Sequence, residues 1–167
     1  MVELEVLGVR RQAPADQVVV LLLDLAGRRL LPIVVGLTEG SAVVAGQSGI
    51  EPPRPMTHDL LVSSLRSAGV TVVRVEIVAL VDGVFHAALV LDNAERVDSR
   101  ASDAIAVAVR VGCPVLCAPA VLEESGLPVE EHTPEEELEE FRAFLDTVSA
   151  DDFVAGDDGG EAPEKPS

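Results

Sequence analysis

Hydrophobic residues recur in two different periods along the chain, which predicts strands in some segments and helices in others. Runs rich in β-branched residues and leucine predict strands over residues 2–9, 17–25, 29–35, 70–80, 84–91 and 114–117. Capping residues followed by apolar positions three and four apart predict helices over residues 39–45, 57–67, 104–109 and 119–125. By themselves these elements predict a soluble α/β domain.

Three segments carry specific local predictions. Asp82-Gly83 between two strand runs is a hairpin signal. Pro32 inside a strand run predicts an edge position or a bulge, because proline cannot donate a hydrogen bond to a neighbouring strand. Residues 104–109 alternate alanine with branched residues and fit either a strand or a buried helix. The Ser102-Asp103 pair before them and Gly112 after them favour the helix.

Composition gives an aliphatic core and an uneven charge. Hydrophobic residues make up 48% of the 167 residues, but aromatic residues only 2%. The formal net charge is −17, of which residues 1–128, with 15 acidic and 10 basic residues, carry −5 and residues 129–167, with 14 and 2, carry −12. Neither part has the basic face that binds phosphate backbones non-specifically, so a nucleic-acid role would need a local site or a divalent cation.

Cysteine usage and hydropathy predict a cytoplasmic protein. Cys113 and Cys117 are the two thiols, and four residues of strand would separate them by about 13 Å. That distance is too long for a disulfide, so buried thiols in a reducing compartment are expected. The N-terminus lacks the pattern of a signal peptide, and no apolar run reaches membrane-spanning length.

The last quarter of the chain changes in composition. Residues 129–150 are predicted to form an acidic amphipathic helix, with apolar side chains at spacings of three and four and glutamates opposite. Residues 151–167 are predicted to be a disordered acidic tail, because they are too polar to bury a core.

Two segments share an arginine, a hydroxyl residue and an aspartate at the start of a predicted helix. They are residues 54–60, Arg-Pro-Met-Thr-His-Asp-Leu, and residues 100–105, Arg-Ala-Ser-Asp-Ala-Ile. In each, the Thr or Ser is predicted to cap the helix and the aspartate to lie in its first turn. Two such helix starts suggest a shared polar cleft.

Residues 54–60 and 98–106, together with residues 31–36 followed by Glu39 and residues 82–87, resemble the bifunctional nuclease family in order and spacing. The resemblance covers residues 1–128, which we take as a bifunctional-nuclease-like domain. It implies an α+β fold with a mixed, largely antiparallel β-sheet and helices packed against it. It also implies a homo-oligomer, expected to be a dimer, and cleavage of DNA and RNA. Gly40 departs from the alanine usual in the family.

Phosphodiester hydrolysis assigns roles to the polar residues of these segments. His58, Asp59 and Asp103 are the candidate catalytic residues. Oxygen ligands from Glu39, Asp59 and Asp103 could hold Mg²⁺ or Mn²⁺. Candidate substrate-binding residues are Arg54, Arg100, Thr57 and Ser102, because guanidinium groups and helix N-terminal residues bind phosphate.

Each candidate also has a purely structural explanation. Aspartates in a first helical turn stabilise the helix without any chemistry, and the two arginines could pair with them. His58 is the least well explained by packing. The sequence thus predicts a nuclease, with a non-enzymatic regulatory module that binds a small anion or a protein as the alternative, and an oligomeric scaffold as a third reading.

Overall fold

A single eight-stranded sheet organises residues 1–129, which are the residues that the computed structural model describes. The strands are β1 (Val2–Gln12), β2 (Gln17–Asp24), β3 (Arg29–Val35), β4 (Val72–Val81), β5 (Val84–Leu91), β6 (Arg96–Arg100), β7 (Val115–Cys117) and β8 (Leu127–Pro128). Their spatial order is β6-β5-β4-β7-β1-β2-β3-β8. Neighbouring strands are antiparallel, except that β4 and β7 are parallel.

Four helices pack against this sheet, which confirms the predicted α+β fold with a mixed, largely antiparallel sheet. They are α1 (Leu37–Gln47), α2 (Thr57–Ser67), α3 (Ala101–Val111) and α4 (Pro119–Ser125). None of the helices in this part of the chain is both long enough and apolar enough to span a membrane. Apart from Val129, the predicted amphipathic helix 129–150 and the predicted tail 151–167 lie outside the described residues.

The predicted turn chemistry is confirmed at the β4–β5 hairpin. Asp82 and Gly83 both have positive φ, 49° and 77°, as the tight turn between two antiparallel strands requires. Pro32 lies opposite Leu21 of β2, whereas β8 pairs with β3 at Arg29 and Leu30 alone. The free side of β3 at Pro32 therefore needs no donor, as expected for an edge position.

Helix α3 is the buried helix that the sequence left open between strand and helix. Ala104, Ile105, Ala106 and Val107 are each fully buried. The helix ends at Gly112, whose φ of 71° lies in the left-handed region that glycine tolerates. Its small residues let it lie against β4, β5 and α1 in an otherwise aliphatic core.

Helix α1 comes close to the sheet at a glycine. A Cβ atom on Gly40 would lie 2.5 Å from Cγ1 of Val18 on β2, so an alanine there would require the valine to move. The departure at Gly40 therefore accompanies a close contact between α1 and β2. This contact fixes the first turn of α1, which carries Glu39.

The predicted Thr57 and Ser102 caps are wrong by one and two residues. Helix α2 begins at Thr57 itself after Met56, and the carboxylate of Asp59 accepts the Met56 N–H at 2.9 Å. Helix α3 begins directly after Arg100, because β6 pairs with β5 as far as Arg100 and leaves no loop in which a serine cap could form. Neither N-cap residue makes a side-chain capping hydrogen bond.

Candidate active site

The first turns of α2 and α3 lie next to each other, and a hydrogen bond of His58 joins them. Nε2 of His58 lies 3.0 Å from Oδ1 of Asp103, across 45 residues of sequence. The imidazole is 14% exposed and the Asp103 side chain 31% exposed, so the pair is partly covered but accessible. The two segments singled out in the sequence therefore share one site.

Arg100 extends this pair into a chain of four charged or titratable side chains. Its Nε donates to Oδ2 of Asp103 at 2.7 Å, and its Nη1 donates to Oε1 of Glu39 at 3.3 Å. Because Arg100 ends β6 and Asp103 is three residues later in α3, the strand-to-helix junction itself sets this geometry. The Arg100 side chain remains 65% exposed.

Asp103 is ionised at neutral pH and can only accept hydrogen bonds. Partial burial raises its pKa, but hydrogen bonds from Arg100 and His58 outweigh the burial, so that the pKa of Asp103 is lowered overall. A neutral imidazole facing this carboxylate must then carry its proton on Nε2. Its Nδ1 is left as a proton acceptor, the state that a general base requires.

These side chains line one open groove of about 670 Å³. Its polar part consists of Thr38, Glu39, Thr57, His58, Asp98, Ser99, Arg100 and Asp103. Its other part is an apolar wall formed by Leu61, Leu65, Leu89, Leu91 and Val97. The groove can therefore contact a polar or charged group and an apolar group of the same ligand.

Asp59 faces a different cleft. Its Oδ1 accepts a hydrogen bond from Nε of Arg110 at 2.8 Å, and it lines a cleft of about 430 Å³ between the proline-rich loop 51–55 and another face of α2. The helical twist explains the separation, because adjacent residues of a helix point about 100° apart. His58 therefore lines the groove, whereas Asp59 lines the other cleft.

Two of the predicted substrate-binding residues do not line the groove. Arg54 is exposed and has no hydrogen-bond or ion-pair partner within residues 1–129. Ser102 is half-buried and lies outside the groove lining. Thr57 and Arg100 do line it, so the groove contains two of the four residues predicted to bind substrate.

Comparison with known proteins decides the family. The bifunctional nuclease domain model matches residues 20–130, which is well over half of the chain. This chain belongs to the bifunctional nuclease domain family.

Relatives of this bifunctional nuclease domain protein include two from Mycobacterium tuberculosis. Uncharacterized protein MT1877 of strain CDC 1551 / Oshkosh and Uncharacterized protein Rv1829 of strain ATCC 25618 / H37Rv are each 42% identical to it over 163 residues. Each alignment covers 93% of this chain and 99% of the relative. The similarity thus extends over nearly the full length of these relatives.

The carboxylates of the bifunctional nuclease domain do not form a ready cation site. Among residues 1–129, no three His, Cys, Asp or Glu side chains are grouped as metal ligands. Glu39 and Asp103 both bind the guanidinium of Arg100, while Asp59 faces the other cleft. Of the residues predicted to hold Mg²⁺ or Mn²⁺, Glu39 and Asp103 therefore already share one internal cation, Arg100.

The ionised aspartates predict acid sensitivity of the fold. Burial raises the pKa of Asp59, but the Met56 N–H and Arg110 outweigh it, so the pKa is lowered below 3.8, as is that of Asp103. A pKa that folding lowers adds stability above the unfolded value, and that stability is lost as the pH falls through the folded value. Urea unfolding should therefore show constant stability from neutral pH to about pH 5 and a decline below about pH 4. Asp59→Asn should reduce the slope of that decline, and an unchanged slope would contradict the assignment.

Sequence reasoning missed Arg110 and the apolar wall. Arg110 is seven residues after Asp103 in α3, and this spacing of two helical turns puts both side chains on one face. That spacing was a usable signal. The wall had no such signal, because it combines α2 with residues of β5 and β6 that only the folded sheet brings together.

Proposed function

We propose that this protein hydrolyses phosphodiester bonds in DNA and RNA, with the groove as its active site. The observation that carries the proposal is the imidazole of His58, held by ionised Asp103 beside Arg100 in an open groove. A proton acceptor and a cation at one place are what attack of water on a phosphodiester requires. Membership in the family supports the same activity.

In this mechanism His58 acts as the general base. Its Nδ1 takes a proton from a water molecule, the water oxygen bonds to phosphorus, and the bond from phosphorus to the leaving ester oxygen breaks. The proton on the imidazole then returns to that ester oxygen, which leaves as an alcohol. Asp103 keeps the ring oriented and stabilises the imidazolium that forms transiently, a role like that of the aspartate in a Ser-His-Asp triad.

Arg100 is proposed to contact the phosphate. Its Nε and Nη1 are engaged by Asp103 and Glu39, whereas Nη2 has no partner within residues 1–129. The neighbouring aspartate raises the pKa of Arg100, so the guanidinium stays charged throughout the reaction. A guanidinium held at two points can stabilise the charge that develops on phosphorus without reorganising.

Because acidic residues outnumber the one cation among the described residues that line the groove, the proposal predicts that the substrate binds weakly. Glu39, Asp98 and Asp103 face it with Arg100 as the cation, and the domain as a whole carries −5. Repulsion of the phosphate backbone should give a high KM that rises further when divalent cations are removed. The predicted requirement for Mg²⁺ or Mn²⁺ belongs to this proposal, as do the cytoplasmic location and the homodimer.

Cleavage of plasmid DNA and of RNA by wild type and His58→Ala tests the proposal. We expect the variant to lose about 10²- to 10⁴-fold in kcat, the usual contribution of general acid–base catalysis. Ser67→Ala, at the far end of α2 from His58, is the matched control and should keep wild-type activity. Each protein is assayed with and without EDTA, which tests the predicted metal requirement separately. Equal activity in wild type and His58→Ala would refute the proposal and indicate a contaminating nuclease.

A second candidate function rests on the pairing of Arg100. Because two carboxylates already neutralise the guanidinium, the groove with its apolar wall could instead bind a small ligand or a protein segment without cleaving it. This is the non-enzymatic binding module. It would be favoured if neither DNA nor RNA is cleaved by the wild type under any cation tested.

A further inference from the structure

Arg110 is a buried arginine with all its polar contacts made inside the protein. Its side chain is 7% exposed. Nε donates to Asp59, and Nη1 donates to the carbonyl oxygens of Ala42 and Ala106, each at 2.8 Å. Burying a guanidinium is costly unless it is paired and hydrogen-bonded, so the buried position of Arg110 depends on these three acceptors.

The contacts of Arg110 reach the backbone just before His58. Asp59 accepts from Arg110 through Oδ1 and from the Met56 N–H through Oδ2 at 2.9 Å. Nη2 of Arg110 also lies 3.9 Å from Sδ of Met56. The first turn of α2 is thus attached to α3 and, through the carbonyl oxygen of Ala42, to α1.

Two side-chain contacts join α2 to α3. Asp103 of α3 holds His58, and Arg110, two turns later in α3, holds Asp59. The first contact lies in the groove and the second on the side of the other cleft. Because His58 and Asp59 are adjacent in α2, the second contact limits the movement of the backbone from which the imidazole projects.

We propose that Asp59 and Arg110 are positioning residues, which together hold the first turn of α2 so that His58 keeps Nε2 on Asp103. The catalytic consequence rests on the proposed function, while the structural consequence does not. Asp59 thereby acts through the backbone rather than on the substrate, which differs from the catalytic role predicted from the sequence.

The test measures the imidazole directly. Nitrogen-15 NMR of histidine side chains reports the tautomer of each ring, and His58 is assigned among the three histidines by comparison with His58→Ala. Wild type should show one dominant tautomer with the proton on Nε2. Asp59→Asn, which removes the charge but keeps the shape, should shift His58 toward a mixture of tautomers. Arg110→Lys, which keeps the charge but cannot reproduce the three hydrogen bonds, should shift it in the same direction.

Arg66→Lys is the matched control, because Arg66 is exposed and its side chain lacks a hydrogen-bond or ion-pair partner in the part of the chain that the structure describes. Its His58 spectrum should equal that of wild type. In cleavage assays, Asp59→Asn should lower kcat by about 10- to 100-fold with little change in KM, because misorientation affects the reaction more than binding. Folded Asp59→Asn and Arg110→Lys proteins with a wild-type His58 tautomer would overturn the proposal.

The two readouts separate the two proposals. If wild type shows the single tautomer and the variants lose it while no protein cleaves nucleic acid, the positioning role stands and the nuclease proposal fails. If cleavage depends on His58 but neither the tautomer nor kcat changes in the variants, the nuclease proposal stands and the positioning role fails.

Discussion

Asp103→Asn is expected to lower kcat for phosphodiester cleavage by about 10²- to 10⁴-fold, the range in which general base catalysis and its orientation contribute. The ionised carboxylate accepts from Nε2 of His58 and from Nε of Arg100. An asparagine amide can present its NH₂ group to the imidazole, which would favour the tautomer with the proton on Nδ1. His58 would then have no lone pair on the side that the substrate water approaches. Steady-state kinetics on a defined oligonucleotide measure the loss.

Asp98→Asn is the matched control for this prediction. Asp98 lines the same groove and undergoes the same change of charge, and its side chain has no hydrogen-bond or ion-pair partner within residues 1–129. Its replacement should have a small effect on kcat and should lower KM by reducing repulsion. Similar losses of kcat in both variants would mean that groove charge, and not the contact with His58, governs activity.

Ile105→Ala should lower the free energy of unfolding by about 2–5 kcal/mol. Ile105 is fully buried in α3, two residues after Asp103, in a core that consists of closely packed aliphatic residues. Truncation removes apolar contacts and leaves a cavity, since surrounding side chains relax only partly. Urea unfolding at neutral pH measures the change.

Leu60→Ala provides the comparison for Ile105→Ala. Leu60 also lies in a helix, but its side chain is 56% exposed, so its truncation should change the unfolding free energy by about 0.5 kcal/mol or less. An Ile105→Ala protein as stable as Leu60→Ala would show that α3 does not occupy the buried position described above.

Local chemistry made most elements of this fold predictable. The hairpin at Asp82-Gly83 was predictable because its dihedral angles require particular residues, and α2 was predictable because its apolar residues repeat with helical period. Helix α3 was ambiguous for a physical reason. Residues 104–109 are all apolar and alternate alanine with branched residues, so this stretch contains no polar position that would distinguish helix from strand.

The helix starts were located less accurately, with an error of one residue at α2 and of two residues at α3. At α2 the helix already includes Thr57, and the carboxylate of Asp59 accepts the N–H of the N-cap residue Met56. At α3 the pairing of β6 with β5 continues to Arg100 and shortens the approach to the helix. The shift at α3 therefore depends on a strand partner that the local pattern does not contain, whereas the contact at α2 is local.

The candidate site was predictable as a set of residues but not as a geometry. His58, Arg100 and Asp103 were expected in one cleft, and the structure brings them together with Glu39. The direction of Asp59 could not be inferred, because it depends on where Arg110 lies after folding. Which carboxylates share a cation is likewise decided by the folded arrangement of α1, β6 and α3.

The most direct measurement of the central claim is chemical rescue of His58→Ala. If the Nδ1 atom of His58 accepts the proton from water, added imidazole should restore part of the lost cleavage, because the small molecule can occupy the space that the side chain leaves. The rescue should increase with imidazole concentration and should be absent in Asp103→Asn, where the histidine is still present. Full activity of His58→Ala without imidazole would contradict the claim that this imidazole is the base. A loss that imidazole leaves unchanged at every concentration would contradict it as well.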